Sequence, residues 1–335
     1  MGHSQTRRRS PFDFRTSMMS NVYFEDLGHG ITMIDAQLYR QGQVSTYLVV
    51  EGHRAAFVET GTAHSAPGLL QVLDLKGIPR ENVDFVIPTH VHLDHAGGAG
   101  ELLRHLPGAR LVIHPRGARH MVDPAKLNAG AAAVYGEAEM ERLFGTVVPV
   151  AEDRVIEAED GFALDLNGRR LRFLDTPGHA RHHFCVVDET GDGIFTGDTF
   201  GLSYREFDTD RGPFVLPTTT PVQFDPDALH TSVDRLVAEG LQYMYLTHYS
   251  RVGDLSRLRA DMHDLIDAFV VMARNHAQDG PVRHETLYAE MMALLLGRLR
   301  DHGCRLPEDE MLRLLHPDVE LNVQGLEVWL DRAES

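Results

Sequence analysis

Cysteine is almost missing from this 335-residue chain, which carries only Cys185 and Cys304. Two thiols cannot build a disulfide framework, and a chain this long does not need one to fold. The scarcity fits a reducing compartment, so a cytoplasmic location is expected. Long apolar runs are missing too: stretches such as Met291 to Leu296 fall far short of the ~20 residues that cross a bilayer. No membrane span is expected. The N-terminus holds Arg7, Arg8 and Arg9 without the apolar segment of a secretory signal, and residues 1–20 read as a flexible tail. Positive charge is scarce as well, with 32 Lys plus Arg against 49 Asp plus Glu and a formal charge of −17. Such a chain repels phosphate backbones, which argues against nucleic acid as a partner and leaves a small-molecule substrate.

Histidine is what the chain has in excess, 20 in all, with no solubility or packing reason for so many. From Val22 to about Ser250, short β-branched and apolar runs alternate with helical patterns. Val44–Val50, Ala55–Glu59, Asp84–Pro88, Arg110–His114, Leu171–Leu174, His183–Asp188 and Gln242–Leu246 read as strands. Pro67–Lys76 and Gly100–Leu106 read as helices, and the mixture predicts α/β layering. After His248 the period changes. Leu255, Leu258, Met262, Leu265, Phe269 and Met272 recur at steps of three and four, marking one helical stripe. Further helices are expected at Glu285–Arg300, at Pro307–Leu315 and at Pro317–Leu330. The organisation expected is a catalytic domain over residues 21–252 and a helical appendage over 253–335. Any part of the stripe left uncovered is a surface for a homodimer.

The segment THVHLDHAGG, residues 89–98, follows the apolar strand DFVIP. In an extended loop His90 and His92 point the same way, and Asp94 and His95 follow where a helix can begin. Gly97, Gly98 and Gly100 keep that helix slim enough to pack closely. Downstream, His179 in TPGHA, Asp198 in FTGDT and His248 in YLTHY each follow an apolar strand pattern, where open sheets gather ligands. His182 and His183 are rivals to His179, which is preferred because it directly follows the TPG turn. Five imidazoles and two carboxylates suit two divalent ions with N and O ligands. The expected division is His90, His92 and His179 on one ion, Asp94, His95 and His248 on the other, and Asp198 between them. Zinc is the first choice, and iron or manganese tolerates the same donors.

The order HxHxDH followed by His, Asp and His resembles the metallo-β-lactamase superfamily over roughly Val22–Ser250. THVHLDHAGG and FTGDT are most similar to glyoxalase II and related hydrolases. The resemblance implies an αββα sandwich, the ligand division just given, and hydrolysis by water activated on the metal. It also suggests that Asp94 or Asp198 orients that water and passes a proton to the leaving group. Where the family commonly has Asp in a DTG-like turn this chain has Glu59 in VETG, which would brace the metal loop in the same way. No glutathione-binding pattern is matched in the helical tail.

The reading is thus a dinuclear metal hydrolase acting on a thioester, lactone or carboxylic ester. The alternatives are an iron-dependent oxygenase or oxygen-binding protein on the same fold, and a phosphodiesterase or nuclease. Tyr204, Arg205 and Tyr249 are candidate substrate or oxyanion contacts, and His64 is a more distant one. The Ala-rich segment Met121–Phe144 is an insertion expected to wall the site, and Cys185 reads as core packing.

Overall fold

The computed structural model describes residues 22–333; the tail expected over residues 1–20 lies outside the described residues. The first sheet is formed by β1 (Phe24–Gly28), β2 (Ile31–Asp35), β3 (Ser45–Glu51), β4 (Arg54–Val58), β5 (Val83–Ile87), β6 (Arg110–Ile113) and β7 (Val155–Glu157), in that spatial order. Its first four strands are antiparallel and the last four parallel. The second sheet contains β8 (Ala163–Leu166), β9 (Arg169–Asp175), β10 (Phe184–Asp188), β11 (Gly193–Leu202), β12 (Tyr243–His248) and β13 (Ser250–Val252), each beside its sequence neighbour. Only the β11–β12 pair is parallel, joined through α7 (Pro226–Ala238).

Alternation along the strands sorts side chains between layers. Tyr47 and Val49 of β3 turn toward the second sheet and share a buried cluster with Phe195 and Tyr245. Leu48 between them turns outward and packs with Leu69, Leu102 and Met121. Those three come from α1 (Ala66–Lys76), α3 (Ala99–Arg104) and α4 (Pro115–Val122), which cover the outer face of the first sheet. The Tyr47 ring meets Phe195 edge-on at 5.1 Å, and its hydroxyl donates to the Leu246 carbonyl across the sandwich. The four layers expected from the resemblance are present.

The C-terminal helical region expected after the sandwich is present, and it packs against the second sheet. In α8 (Leu255–Asn275), Leu258, Met262, Leu265, Phe269 and Met272 are buried in the same cluster as the second sheet. These five stripe residues are therefore covered by the chain itself, while Leu255 at the start of the stripe is only partly buried. α9 (Arg283–His302) follows, and then a single helix, α10 (Glu308–Ala333), runs where two were expected. Pro317 sits inside it, at a cost of about 3 kcal/mol for the lost hydrogen bond and the clash with the preceding turn. Leu314 and Leu315 before the proline, and Val319, Val323, Leu326 and Leu330 after it, are all buried at helical spacing. Each full burial contributes roughly 1.5–3 kcal/mol, so the stripe outweighs the proline and keeps the helix whole.

The glycines of the metal-binding motif do what their size suggests. A Cβ on Gly98 would lie 2.6 Å from the Thr62 carbonyl oxygen, and one on Gly100 would collide with the Val148 carbonyl. α3 can thus lie against backbone on two sides. Replacing Gly100 with Ala should lower stability by about 1–3 kcal/mol, read as a reduced urea midpoint. An unchanged midpoint would show that the loop at Val148 yields freely.

Candidate metal centre

β5 ends below Thr89, and the loop after it carries His90 and His92 into α2 (Leu93–Ala96), which holds Asp94 and His95. His179 stands in the loop after β9, and His248 is the last residue of β12. Asp198 lies within β11 rather than at its end, beside an interruption in the pairing with β12. Gly197 makes that interruption with φ +50°, and a Cβ there would run into Thr89 Oγ1 and His183 Nε2. The strand break turns the carboxylate into the site.

The seven side chains gather into two groups: His90, His92, His179 and Asp198 in one, and Asp94, His95 and His248 in the other. In the first, His92 Nδ1 lies 2.8 Å from His90 Nε2 and 3.1 Å from His179 Nε2. In the second, Asp94 Oδ2 lies 3.2 Å from His248 Nε2 and 3.5 Å from His95 Nε2. Asp198 reaches both, with Oδ2 3.3 Å from His179 and Oδ1 3.3 Å from His95. One carboxylate oxygen faces each group.

The outward ring nitrogens are tied down. His95 Nδ1 lies 3.0 Å from Glu59 Oε1, His248 Nδ1 lies 3.0 Å from the Gln43 carbonyl, and His179 Nδ1 lies 3.4 Å from the Thr218 carbonyl. Acceptors in those positions draw the ring proton outward and leave a lone pair on Nε2 facing the centre, the tautomer a metal requires. His95 Nε2 and Asp198 Oδ1 are buried without a hydrogen-bond partner. Unpartnered buried atoms are costly, and a divalent cation is the group that would satisfy both. The donor set fits divalent metal ions.

Electrostatics follow the same division. Burial and the neighbouring imidazoles hold His90 and His92 well below the ordinary histidine value. Burial opposes charge on His95 and His248 too, yet Asp198 and Asp94 overcome it and raise both. Burial would lift the carboxyls of Asp94 and Asp198, but His95 beside them holds both below the usual range. The two carboxylates therefore stay ionised. Glu59, at φ +65°, accepts from Thr89 Oγ1 at 2.5 Å and from Thr247 Oγ1 at 3.1 Å besides meeting His95.

The other candidates are placed elsewhere. The Tyr204 hydroxyl donates to Asp318 at 3.1 Å, and the ring is buried behind the site. The Arg205 guanidinium donates to the Ser203 carbonyl at 2.7 Å and pairs with Asp208, and Tyr249 is buried beside Asp35. None of the three is among the residues that line the cavity over the metal cluster. His64 lies 2.8 Å from the Glu141 carbonyl, away from the centre. His183 is not among the gathered donors: its Nε2 accepts from the Asp198 backbone amide at 3.2 Å, fixing the strand break. His182 instead lines the cavity above the centre.

That cavity, of about 470 Å³, is floored by His92, Asp94, Asp198 and His248. Lys126, Leu127, Gly130, Ala131 and Phe144 from the Met121–Phe144 segment form one wall, as expected of that insertion. The opposite wall comes from α10, through Pro317, Asp318, Leu321 and Asn322, which sequence reasoning did not connect to the site. Asn322 fastens the helix there: its Oδ1 accepts from the Thr219 amide at 2.6 Å, and its Nδ2 donates to the Pro217 carbonyl at 3.2 Å. Burial pushes the Asp318 carboxyl up to about 6. Only the polar Asp and Asn within the apolar stripe hinted at this role.

Residues 39–248 match the sequence profile of the metallo-beta-lactamase superfamily. Among curated proteins the chain is 29% identical over 198 residues to the metallo-beta-lactamase fold-containing protein ST1585 of Sulfurisphaera tokodaii, covering 58% of this chain and 68% of that one. It is 23% identical to the atrochrysone carboxyl ACP thioesterase AacuM of Aspergillus aculeatus, across 82% of this chain and 73% of that one. With the human acyl-coenzyme A thioesterase MBLAC2 it shares 26% identity, across 52% of this chain and 64% of that one. The crystal structure of the metallo-beta-lactamase family protein TTHA1429 from Thermus thermophilus superposes with a TM-score of 0.62 at 21% identity, covering 92% and 95% of the two chains. The likeness to that structure shows the shared fold.

The buried, unligated His182 gives the site an acid limit. Burial lowers it to about 4, against ~6.5 in an unfolded chain. The unfolded state therefore takes up the proton first, and the stability His182 contributes above ~6.5 is lost as pH falls toward 4. The loss of denaturant midpoint between pH 7 and 4.5 should be smaller in His182→Gln than in the wild type. Equal losses in the two proteins would contradict this.

Proposed function

The chain belongs to the metallo-β-lactamase superfamily, and from that membership we propose a metal-dependent hydrolase that cleaves a small ester-like substrate, a thioester before a lactone or carboxylic ester. The observation that carries the reading is Asp198, which offers one oxygen to each of two groups of inward-facing donors. Ions held there supply a water acidified to a pKa of ~7 and a Lewis acid for the carbonyl oxygen. Zinc suits this imidazole-rich set best, and iron or manganese fits the same donors.

The protein's own groups divide the remaining work. Asp94 is the more open carboxylate, with its side chain 24% exposed against 6% for Asp198. It lies on the cavity floor, so it can hold the attacking water and pass a proton to the leaving group. Asp198 is enclosed and keeps the two groups in register. Above them, Leu38, Val91, Leu127, Phe144 and Leu321 make an apolar room for an acyl chain. The thioesterase names carried by the fungal and human relatives support a thioester, as does the likeness to glyoxalase II at THVHLDHAGG. The two free cysteines agree with a cytoplasmic setting.

The test is a panel of thioesters, lactones, carboxylic esters and phosphodiesters with and without chelator. Thioester turnover that the chelator abolishes is the expected result. Replacing Asp94 with Ala should cut kcat by about 10²–10⁴-fold while circular dichroism stays native, since one side chain on a rigid scaffold is removed. Full activity in that variant would remove Asp94 from its role.

A further inference from the structure

The cavity above the metal centre does not end at its apolar walls. His120, His182 and Gln223 line both it and a second, larger cleft of about 770 Å³. His182 marks how close the two are: its ring centre lies 5.8 Å from that of His92 and 6.1 Å from that of His90. Its Nδ1 is buried without a hydrogen-bond partner. The cleft therefore opens one imidazole away from the reacting atoms.

Its lining is unlike the rest of this acidic chain. Arg116, Arg119 and Arg181 all line it, and among the described residues none of the three is paired with a carboxylate. Elsewhere most arginines are spent on ion pairs, as with Arg54 on Asp84 or Arg172 on Glu239. The cleft's one acidic residue, Asp225, caps α7 by accepting from the Ala228 amide at 3.1 Å. Two bonds hold the cleft in shape. Arg116 donates from Nη1 to the Arg181 carbonyl at 2.9 Å, and the Arg181 amide donates to Gln223 Oε1 at 2.7 Å. Three unneutralised guanidiniums in a chain of formal charge −17 are matched by an anion with several oxygens.

We propose that this cleft binds the phosphate of a phosphorylated thiol, the carrier whose acyl thioester is cleaved at the adjoining metal centre. The inference rests on the thioester reading for its direction: the acyl chain occupies the apolar cavity, the scissile carbonyl lies over Asp94, and the thiol arm leaves past His182. Hydrolysis joins the water oxygen to the acyl carbon and breaks the carbon–sulfur bond: Asp94 takes one proton from the water and passes it to the sulfur, giving a free thiol, and the carboxylic acid formed releases the other to solvent as it ionises. The phosphate stays on the thiol throughout. Its hold on the arginines then gives affinity to substrate and thiol product alike.

The experiment measures binding apart from turnover. Calorimetry would compare pantetheine, 4′-phosphopantetheine and coenzyme A as free thiols on the wild type and on a variant with Arg116→Ser, Arg119→Ser and Arg181→Ser together. These arginines are exposed, so the variant should fold. The phosphorylated thiols should bind the wild type at least about 10-fold more tightly than pantetheine, and the variant should erase that difference. A gain already complete with phosphopantetheine identifies a single-phosphate carrier arm, and a further gain with coenzyme A identifies the nucleotide form; both support the cleft. Equal binding of all three thiols, or a gain that survives the triple substitution, overturns it. Arginine-dependent binding without hydrolysis of any thioester would keep the cleft and defeat the thioester reading.

Discussion

Everything at the centre depends on one buried carboxylate that is not itself among the converging donors. Glu59 leaves the end of β4 in the first sheet and meets Thr89 of the metal loop, His95 of α2 and Thr247 of β12 in the second sheet. It thus joins the two halves of the sandwich at the point where their ligands must meet. A free carboxylate so deeply enclosed would be costly, and the hydrogen bonds from two hydroxyls and an imidazole offset that cost. In return, Glu59 fixes which nitrogen of His95 faces inward.

The same economy explains the shape of the site. A metal-dependent hydrolase needs donors held rigidly, and rigid donors come from strand ends and short loops rather than long ones. Four of the seven lie between residues 90 and 95, on one loop and one turn of helix. The other three come from the second sheet and the loop beside it, so the centre forms only when the two sheets pack. What surrounds the donors is less rigid chemistry: an apolar room from the Ala-rich helices and α10, and a basic cleft past His182. In the proposed reading the reaction belongs to the first part and the choice of substrate to the second.

How much of this was legible in the sequence depended on how local the signal was. The HxHxDH run is contiguous, and its two-residue spacing put the donors on one side of a loop before any fold was known. The strand patterns DFVIP and HFCVVD were clear because both are apolar runs, the second buried on both faces and the first over most of its length. β1, β2, β7, β8 and β13 were missed: all five are short, and β1, β7 and β8 also hold half-exposed residues that weaken the apolar signal. Pro317 suggested a boundary that the buried stripe around it overrides, because tertiary burial outweighs one backbone hydrogen bond. Arg116 carried no mark of its place, and Asp318 only its polarity within an apolar stripe: each meets the site through contacts far away in sequence. Tyr204 and Arg205 follow Asp198 closely in sequence, but the chain beyond that strand buries Tyr204 and leaves Arg205 half-buried outside the cavity lining.

The central claim is that this chain holds two divalent ions between its sheets. Elemental analysis of protein purified without chelator, reported as moles of metal per chain, tests it most directly. The account predicts about two ions per chain, with zinc foremost, and a loss of bound metal when His95 is replaced by Ala. Protein that is folded yet binds no divalent metal, even when offered excess zinc, iron or manganese, would contradict it.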